Sequence, residues 1–222
     1  MKVQNINNVN FKMNIKVVSP KDYDRINDEL AKTRNMEEVF NWEIVPAGFL
    51  ENRFRAYRTD VDLASTDGVR SCTGGVIRKD NKASVFFHIG DTRDNLKNIN
   101  CILPFMQGES AFMVGARSKY DYSGLLFNKL RKFINEDNKI PLTYMEDFND
   151  HWEAGFTYDA LKDELILCVK DILNPKKYVK NMEELLGAFK KVVVSPNDTI
   201  EFLQESVRKI APSAKNMMGP KI

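Results

Sequence analysis

Residues 65–92 read STDGVRSCTGGVIRKDNKASVFFHIGDT. Two strand-like runs, TGGVIRK and ASVFFHIG, flank the short polar turn KDN, which is the pattern of a β-hairpin. With KDN as a three-residue loop, Arg78 pairs with Lys82, Asn81 takes the left-handed position and Cys72 stands opposite His88. Directly opposed residues hold their Cβ atoms roughly 4.5–5.5 Å apart, so thiol and imidazole could touch. A two-residue Asp80-Asn81 turn shifts the register by one and sets Ile89 opposite Cys72 instead. Alternation along the second strand sends Val85, Phe87 and Ile89 to a core and Ser84, Phe86 and His88 to a mixed face where a site could open. Gly74 and Gly75 allow another backbone or a substrate to come close. The plainer reading of Cys72 is a small buried hydrophobe.

Outward from the hairpin, further elements follow from pattern. Ser19, Pro20 and Asp22 form a helix start, and Tyr23, Ile26 and Leu30 recur at helical spacing, so a helix is expected over roughly 20–33. FKMNIKVV is weakly strand-like, and NWEIVPAGFL and RFRAYRTDVDLA hold short extended segments. NINCILPFM and SAFMVGA read as apolar strands, which makes Cys101 a core residue. Ser123 is an N-cap candidate for a helix whose stripe is Leu126, Leu130, Phe133 and Ile134, with Phe127 beside it. KIPLTYME and the two halves of GFTYDALKDELILCV read as strands, the last placing Cys168 in the core. Past Asn174-Pro175 the pattern is helical: Met182, Leu185, Leu186 and Phe189, then a helix capped by Asp198 and carrying Ile200, Leu203, Val207 and Ile210. The expected class is α/β (α+β), a mixed β-sandwich core flanked by helices. The expected organisation is an N-terminal extension with a short helix at 1–37, an α/β domain at 38–173 and a helical C-terminal extension with a disordered tail at 174–222.

Composition bounds the partners. The 222 residues are 43% hydrophobic, enough for a sizeable core, and 33 Lys+Arg against 31 Asp+Glu leave a formal charge of +2. So even a balance gives no electrostatic case for nucleic acid or an anionic membrane. No apolar run approaches the ~18 residues of a transmembrane helix. The first residues, MKVQNINNVNFKMN, lack the apolar stretch of a secretory signal. Three cysteines fit a reducing compartment. No metal motif, P-loop or dinucleotide fingerprint is present, so no cofactor is expected. His151, beside Trp152 in a polar loop, reads as a surface residue.

Thr66, then Cys72 six residues later, then His88 on the following strand resembles the catalytic signature of the glutamine deamidases. That family includes the chemoreceptor deamidase CheD, the cytotoxic necrotizing factor catalytic domain and the Burkholderia lethal factor. Ser71-Cys72 matches the Ser-Cys turn of those proteins. Downstream, SAFMVGARSKYDYSGLLFNKLRKFINEDNKIPLTYMEDF is similar to the CheD order of a strand ending in Gly-Ala, a loop, a helix and a strand opened by Ile-Pro. GFTYDALKDELILCV resembles its closing hairpin, so 60–170 match in order. The Gly-Glu-Arg-Asn element usual in CheD is missing around Arg117–Asp121, which leans toward the toxin branch.

The resemblance implies a protein glutamine deamidase, a bacterial toxin or effector. Cys72 would be the nucleophile, His88 its base, and Thr66 the group holding the far imidazole nitrogen; Asp91 is an alternative orienter. His88 would draw the Cys72 proton into a thiolate–imidazolium pair, a thioester would form, and ammonia would leave. Cys72 N–H and a neighbour in the Arg70–Thr73 turn would hold the oxyanion. The partner is a protein bearing an exposed glutamine, and a monomer is expected. Chemotaxis deamidation, transglutamination, peptide hydrolysis and a non-catalytic interaction role remain alternatives.

Overall fold

The computed structural model describes residues 13–41, 43–44 and 56–203. In chain order its elements are β1 (Asn14–Val17), α1 (Pro20–Thr33), β2 (Glu37–Glu38), β3 (Tyr57–Val61), β4 (Leu63–Val69), β5 (Thr73–Lys79) and β6 (Lys82–Ile89). They continue with α2 (Arg93–Asn98), β7 (Ser110–Gly115), α3 (Asp121–Arg131), β8 (Leu142–Phe148), β9 (Trp152–Asp159), β10 (Glu164–Asp171), α4 (Met182–Ala188), β11 (Phe189–Val193) and β12 (Thr199–Phe202). Local chemistry explains several boundaries. Ser19 Oγ accepts the Asp22 N–H at 3.1 Å and Pro20 opens α1. Asn181 accepts the Glu184 N–H at 2.9 Å at the start of α4.

The strands form two mixed sheets, β12-β1-β10-β9-β4-β2 and β11-β8-β7-β5-β6-β3. Their inner faces meet in one core, with Ala154, Phe156, Leu165 and Leu167 from the first sheet against Val76, Phe86, Phe112 and Met145 from the second. Phe156 lies at its centre, with ring centroids 5.0 Å from Phe86 and 5.6 Å from Phe112. The outer face of the first sheet is covered by α1 through Tyr23 and Leu30, against Leu63, Ile166 and Cys168. The outer face of the second is covered by α3 and the helical turn after it, where Leu126, Phe127, Leu130 and then Ile134 meet Ile77, Val85, Phe87 and Met113. A two-sheet sandwich between helices is therefore present. Because the second sheet is covered on both sides, β5 and β7 are buried nearly end to end and show no alternation.

The hairpin register differs from both expectations. Asp80 and Asn81 form a two-residue turn with φ of 50° and 57°, both left-handed. Lys79 then pairs with Lys82 and Arg78 with Ala83, but Ile77 pairs with Val85. Ser84 is an extra residue at a β-bulge, its hydroxyl turned to the carbonyls of Ile77 and Gln107. His88 consequently stands opposite Gly74, and Cys72 lies just past the last pair, Thr73 with Ile89.

Other expectations are corrected. NINCILPF is not a strand: it continues α2 into two short 3-10 turns, and Cys101 is exposed. Ser123 is not a cap but lies inside α3, accepting the Arg117 N–H and donating to Ser71 O. Asp198 precedes a strand, not a helix; its carboxylate accepts the Met13 N–H at 2.9 Å and the Thr143 hydroxyl at 2.6 Å. Nor do 1–37 and 174–222 stand apart from a central domain in their described parts. β1 inserts between β10 and β12 in parallel, and β11 pairs with β8. A strand edge left by β10 would otherwise be open, and pairing satisfies it. The expected C-terminal tail, the first residues, and most of NWEIVPAGFL lie outside the described residues.

Phe156→Ala removes the ring on which both inner faces converge. It should lower unfolding free energy by about 3–5 kcal/mol, read from urea denaturation.

Candidate active site

The three residues singled out by the sequence converge at one end of the sandwich, where β4 of one sheet approaches β6 of the other. His88 shares the inward face of β6 with Phe86, so it faces the other sheet. Opposite it is Gly74, where a Cβ would meet the Phe156 ring at 2.7 Å and Val69 at 2.9 Å. The absence of a side chain at Gly74 lets the sheets close to this distance.

From the facing sheet, Thr66 Oγ1 lies 2.7 Å from His88 Nδ1. The same hydroxyl donates to the Val39 carbonyl at 2.5 Å. A hydroxyl has one proton. Since the carbonyl can only accept, Thr66 must accept from His88, and Nδ1 carries the ring hydrogen. His88 Nε2 is then a bare lone pair, and it is buried without a hydrogen-bond partner among the described residues. His88 is 2% exposed. Burial disfavours its charged form and lowers its pKa from 6.5 to about 4, with a smaller opposing pull from Asp67.

Cys72 follows β4 by a bend at Arg70–Ser71 and precedes β5. Its backbone is held from below. Ala116 N–H donates to Cys72 O at 3.1 Å, and Ser123 Oγ donates to Ser71 O. Gly115 has φ +138°, and a Cβ there would overlap the Cys72 carbonyl oxygen, so only glycine fits. Both carbonyls of the turn are therefore engaged. Among the described residues, the N–H groups of Ser71 and Cys72 donate to no acceptor.

Cys72 is 6% exposed. Asn41 Nδ2 approaches Sγ at 3.5 Å, and the main-chain N–H groups of Asp91 and Arg70 face it as well. Burial nonetheless pushes the thiol pKa above its ordinary value, and the Asp91 charge adds to that. Asp91 thus faces Cys72, and the Nδ1 position of His88 is occupied by Thr66. With the thiol raised and the imidazole lowered, burial favours a neutral pair at rest, not the expected thiolate–imidazolium pair. Cys72 itself lies in the bend just before β5, whose first two pairs are Thr73 with Ile89 and Gly74 with His88.

The other candidates separate from this cluster. Cys168 is buried under α1, and burial pushes its thiol up to about 12. Cys101 and His151 are exposed. Asn41 was not foreseen: its contact with Cys72 spans 31 residues from an irregular segment that no periodicity marks. Among the described residues, no helix is long and apolar enough to cross a membrane.

The His88 shift has a measurable consequence. Above pH 6.5 the imidazole is neutral in the folded and unfolded chain alike. Between 6.5 and about 4 the unfolded chain takes up a proton that the folded one refuses, so stability falls as pH drops through this window. The full loss is on the order of 3 kcal/mol. Urea unfolding at pH 7 and pH 4.5 should show a larger drop for the native sequence than for His88→Gln, the difference being His88's share.

No family model matches the chain, and no curated protein does.

Proposed function

We propose that the chain is a cysteine-dependent amidohydrolase that converts a glutamine side chain of another protein to glutamate and ammonia, on a sandwich of the glutamine-deamidase type. One observation carries the reading: the Thr66–His88 hydrogen bond, which fixes the Nδ1–H tautomer and leaves Nε2 bare, one strand pair in from the Thr73–Ile89 pair that adjoins the Cys72 turn. A buried unpaired acceptor costs on the order of 1–3 kcal/mol, and a proton-accepting role in chemistry is a reason to keep one.

The reaction starts from neutral groups. As a substrate carboxamide comes to the Ser71–Cys72 turn, Nε2 of His88 takes the thiol proton while sulfur bonds to the carboxamide carbon. The carbonyl oxygen becomes an oxyanion and finds the unused N–H groups of Ser71 and Cys72, which the pinned carbonyls keep in place. The imidazolium, steadied by Thr66 at Nδ1, returns its proton to the departing nitrogen. The C–N bond breaks, ammonia leaves and a thioester remains. Water then loses a proton to His88 and attacks the thioester, the C–S bond breaks, and glutamate is released with the thiol restored. Each step needs only residues of this chain and water. The fit to an injected effector acting in a host cytosol rests on the resemblance in sequence.

The buried, raised thiol favours one other reading, a non-catalytic interaction domain in which Cys72 is packing. The two separate in one experiment. In a Cys101→Ser background, which removes the exposed thiol, glutamine-rich proteins are incubated with the chain, and ammonia and the amide-to-acid mass change are measured. Cys72→Ser should lower the rate by several orders of magnitude without unfolding. The acid limb of the rate should fall near the His88 value of about 4, not at 6.5. Equal product from Cys72→Ser and its parent would sink the amidohydrolase reading, and crosslinked product would redirect it to transglutamination.

A further inference from the structure

Directly after the residues that support the Cys72 turn, β7 runs into Ala116 and Arg117. Ala116 adopts φ +67°; its N–H meets Cys72 O and its carbonyl accepts from Phe148. Arg117 is 2% exposed, yet among the described residues no carboxylate lies within ion-pair distance of it. Its guanidinium donates to Trp152 O at 3.0 Å through Nη2, while Nε is buried with no acceptor. Burial and the nearby Arg70 charge both work against its protonated form, while Asp150 and Asp147 favour it from beyond ion-pair distance. A guanidinium stays charged under ordinary conditions, so it is a buried cation short of a counter-charge.

Arg117 lines a cleft of about 190 Å³ together with Ser118, Lys119, Asp147, Asp150 and Lys190. Three cations there face two carboxylates, and Arg70 adds to the excess. One carboxylate is already committed: Asp147 accepts from Ser118 N–H at 2.8 Å and from Lys190 at 2.7 Å. That arrangement shows how the cleft holds an oxyanion, with a main-chain N–H and a lysine converging on its oxygens. With Lys190 held by Asp147 and the Ser118 hydroxyl, Arg117 and Lys119 face Asp150 alone, and the positive charge left over gives a place for a second oxyanion.

We infer that this cleft is an oxyanion subsite, taking a carboxylate or phosphate group between Arg117 and Lys190. As a deepening of the amidohydrolase reading, and resting on it, the anion is a group of the substrate anchored beside the reacting carboxamide. Arg117 lies one residue from the contact that pins Cys72, so an anion bound there is coupled to the turn that carries the thiol.

The test needs no turnover. The full chain carrying Cys72→Ala is titrated with inorganic phosphate and, separately, with glutarate, at ionic strength matched by chloride, and followed by calorimetry and thermal unfolding. Saturable binding is expected, with a rise in Tm beyond that in chloride. Phosphate alone, glutarate alone or both identifies the group accepted. Lys190→Glu, an exposed substitution, should weaken binding at least roughly tenfold. Lys82→Glu, the same charge change at the turn of the β5–β6 hairpin, should leave it intact. Arg117→Gln should act like Lys190→Glu; if it does not fold, the lysine pair still decides. No binding beyond chloride, or equal binding by the two lysine variants, overturns the subsite. Either result leaves the thiol chemistry standing, because Cys72→Ala removes that chemistry from every arm. Conversely, loss of amidohydrolase activity as a reading leaves the binding measurement valid.

Discussion

The single proton of the Thr66 hydroxyl organises the site. It goes to the Val39 carbonyl, so the oxygen can only accept from His88, and the imidazole is fixed in one tautomer. This bond also joins the two sheets, since Thr66 belongs to β4 and His88 to β6. The imidazole can be buried there because one of its nitrogens is satisfied. The other is left as a base, and the low pKa that burial imposes keeps it unprotonated through the neutral range.

The surroundings of Cys72 are rigid for a different reason. The turn has no regular pairing of its own, and is instead fastened to the end of β7 and the start of α3 through Ala116, Gly115 and Ser123. The same short stretch carries Arg117 into the neighbouring cleft. Thiol turn and buried cation thus adjoin one piece of backbone, with the contact to Cys72 one residue before Arg117.

Much of the local structure was legible. Helix α1 follows from Ser19, Pro20 and the spacing of Tyr23 and Leu30, and strands β5, β6 and β7 from their apolar runs. The grouping of Thr66 with His88 was anticipated from the resemblance in motif order. The register was not legible, because the bulge at Ser84 is set by the carbonyls of Ile77 and Gln107, the latter 23 residues away. NINCILPF misled because short apolar runs fit a strand and a helical turn equally well. Ser123 misled because a serine hydroxyl serves a cap or a distant carbonyl with the same chemistry.

By itself the sequence determined the types of the strongly patterned elements, α1 and the strands β5, β6 and β7, through periodicity and capping, and nominated Thr66, Cys72 and His88. Only the tertiary structure decided which strands are neighbours, drawing β1 and β12 from opposite ends of the chain into one sheet. It also decided which way burial moves the thiol and the imidazole, since the burial of Cys72 and His88 is a property of both sheets and not of their own strands. Pairing and desolvation depend on residues far apart along the chain, and local pattern holds no record of that distance.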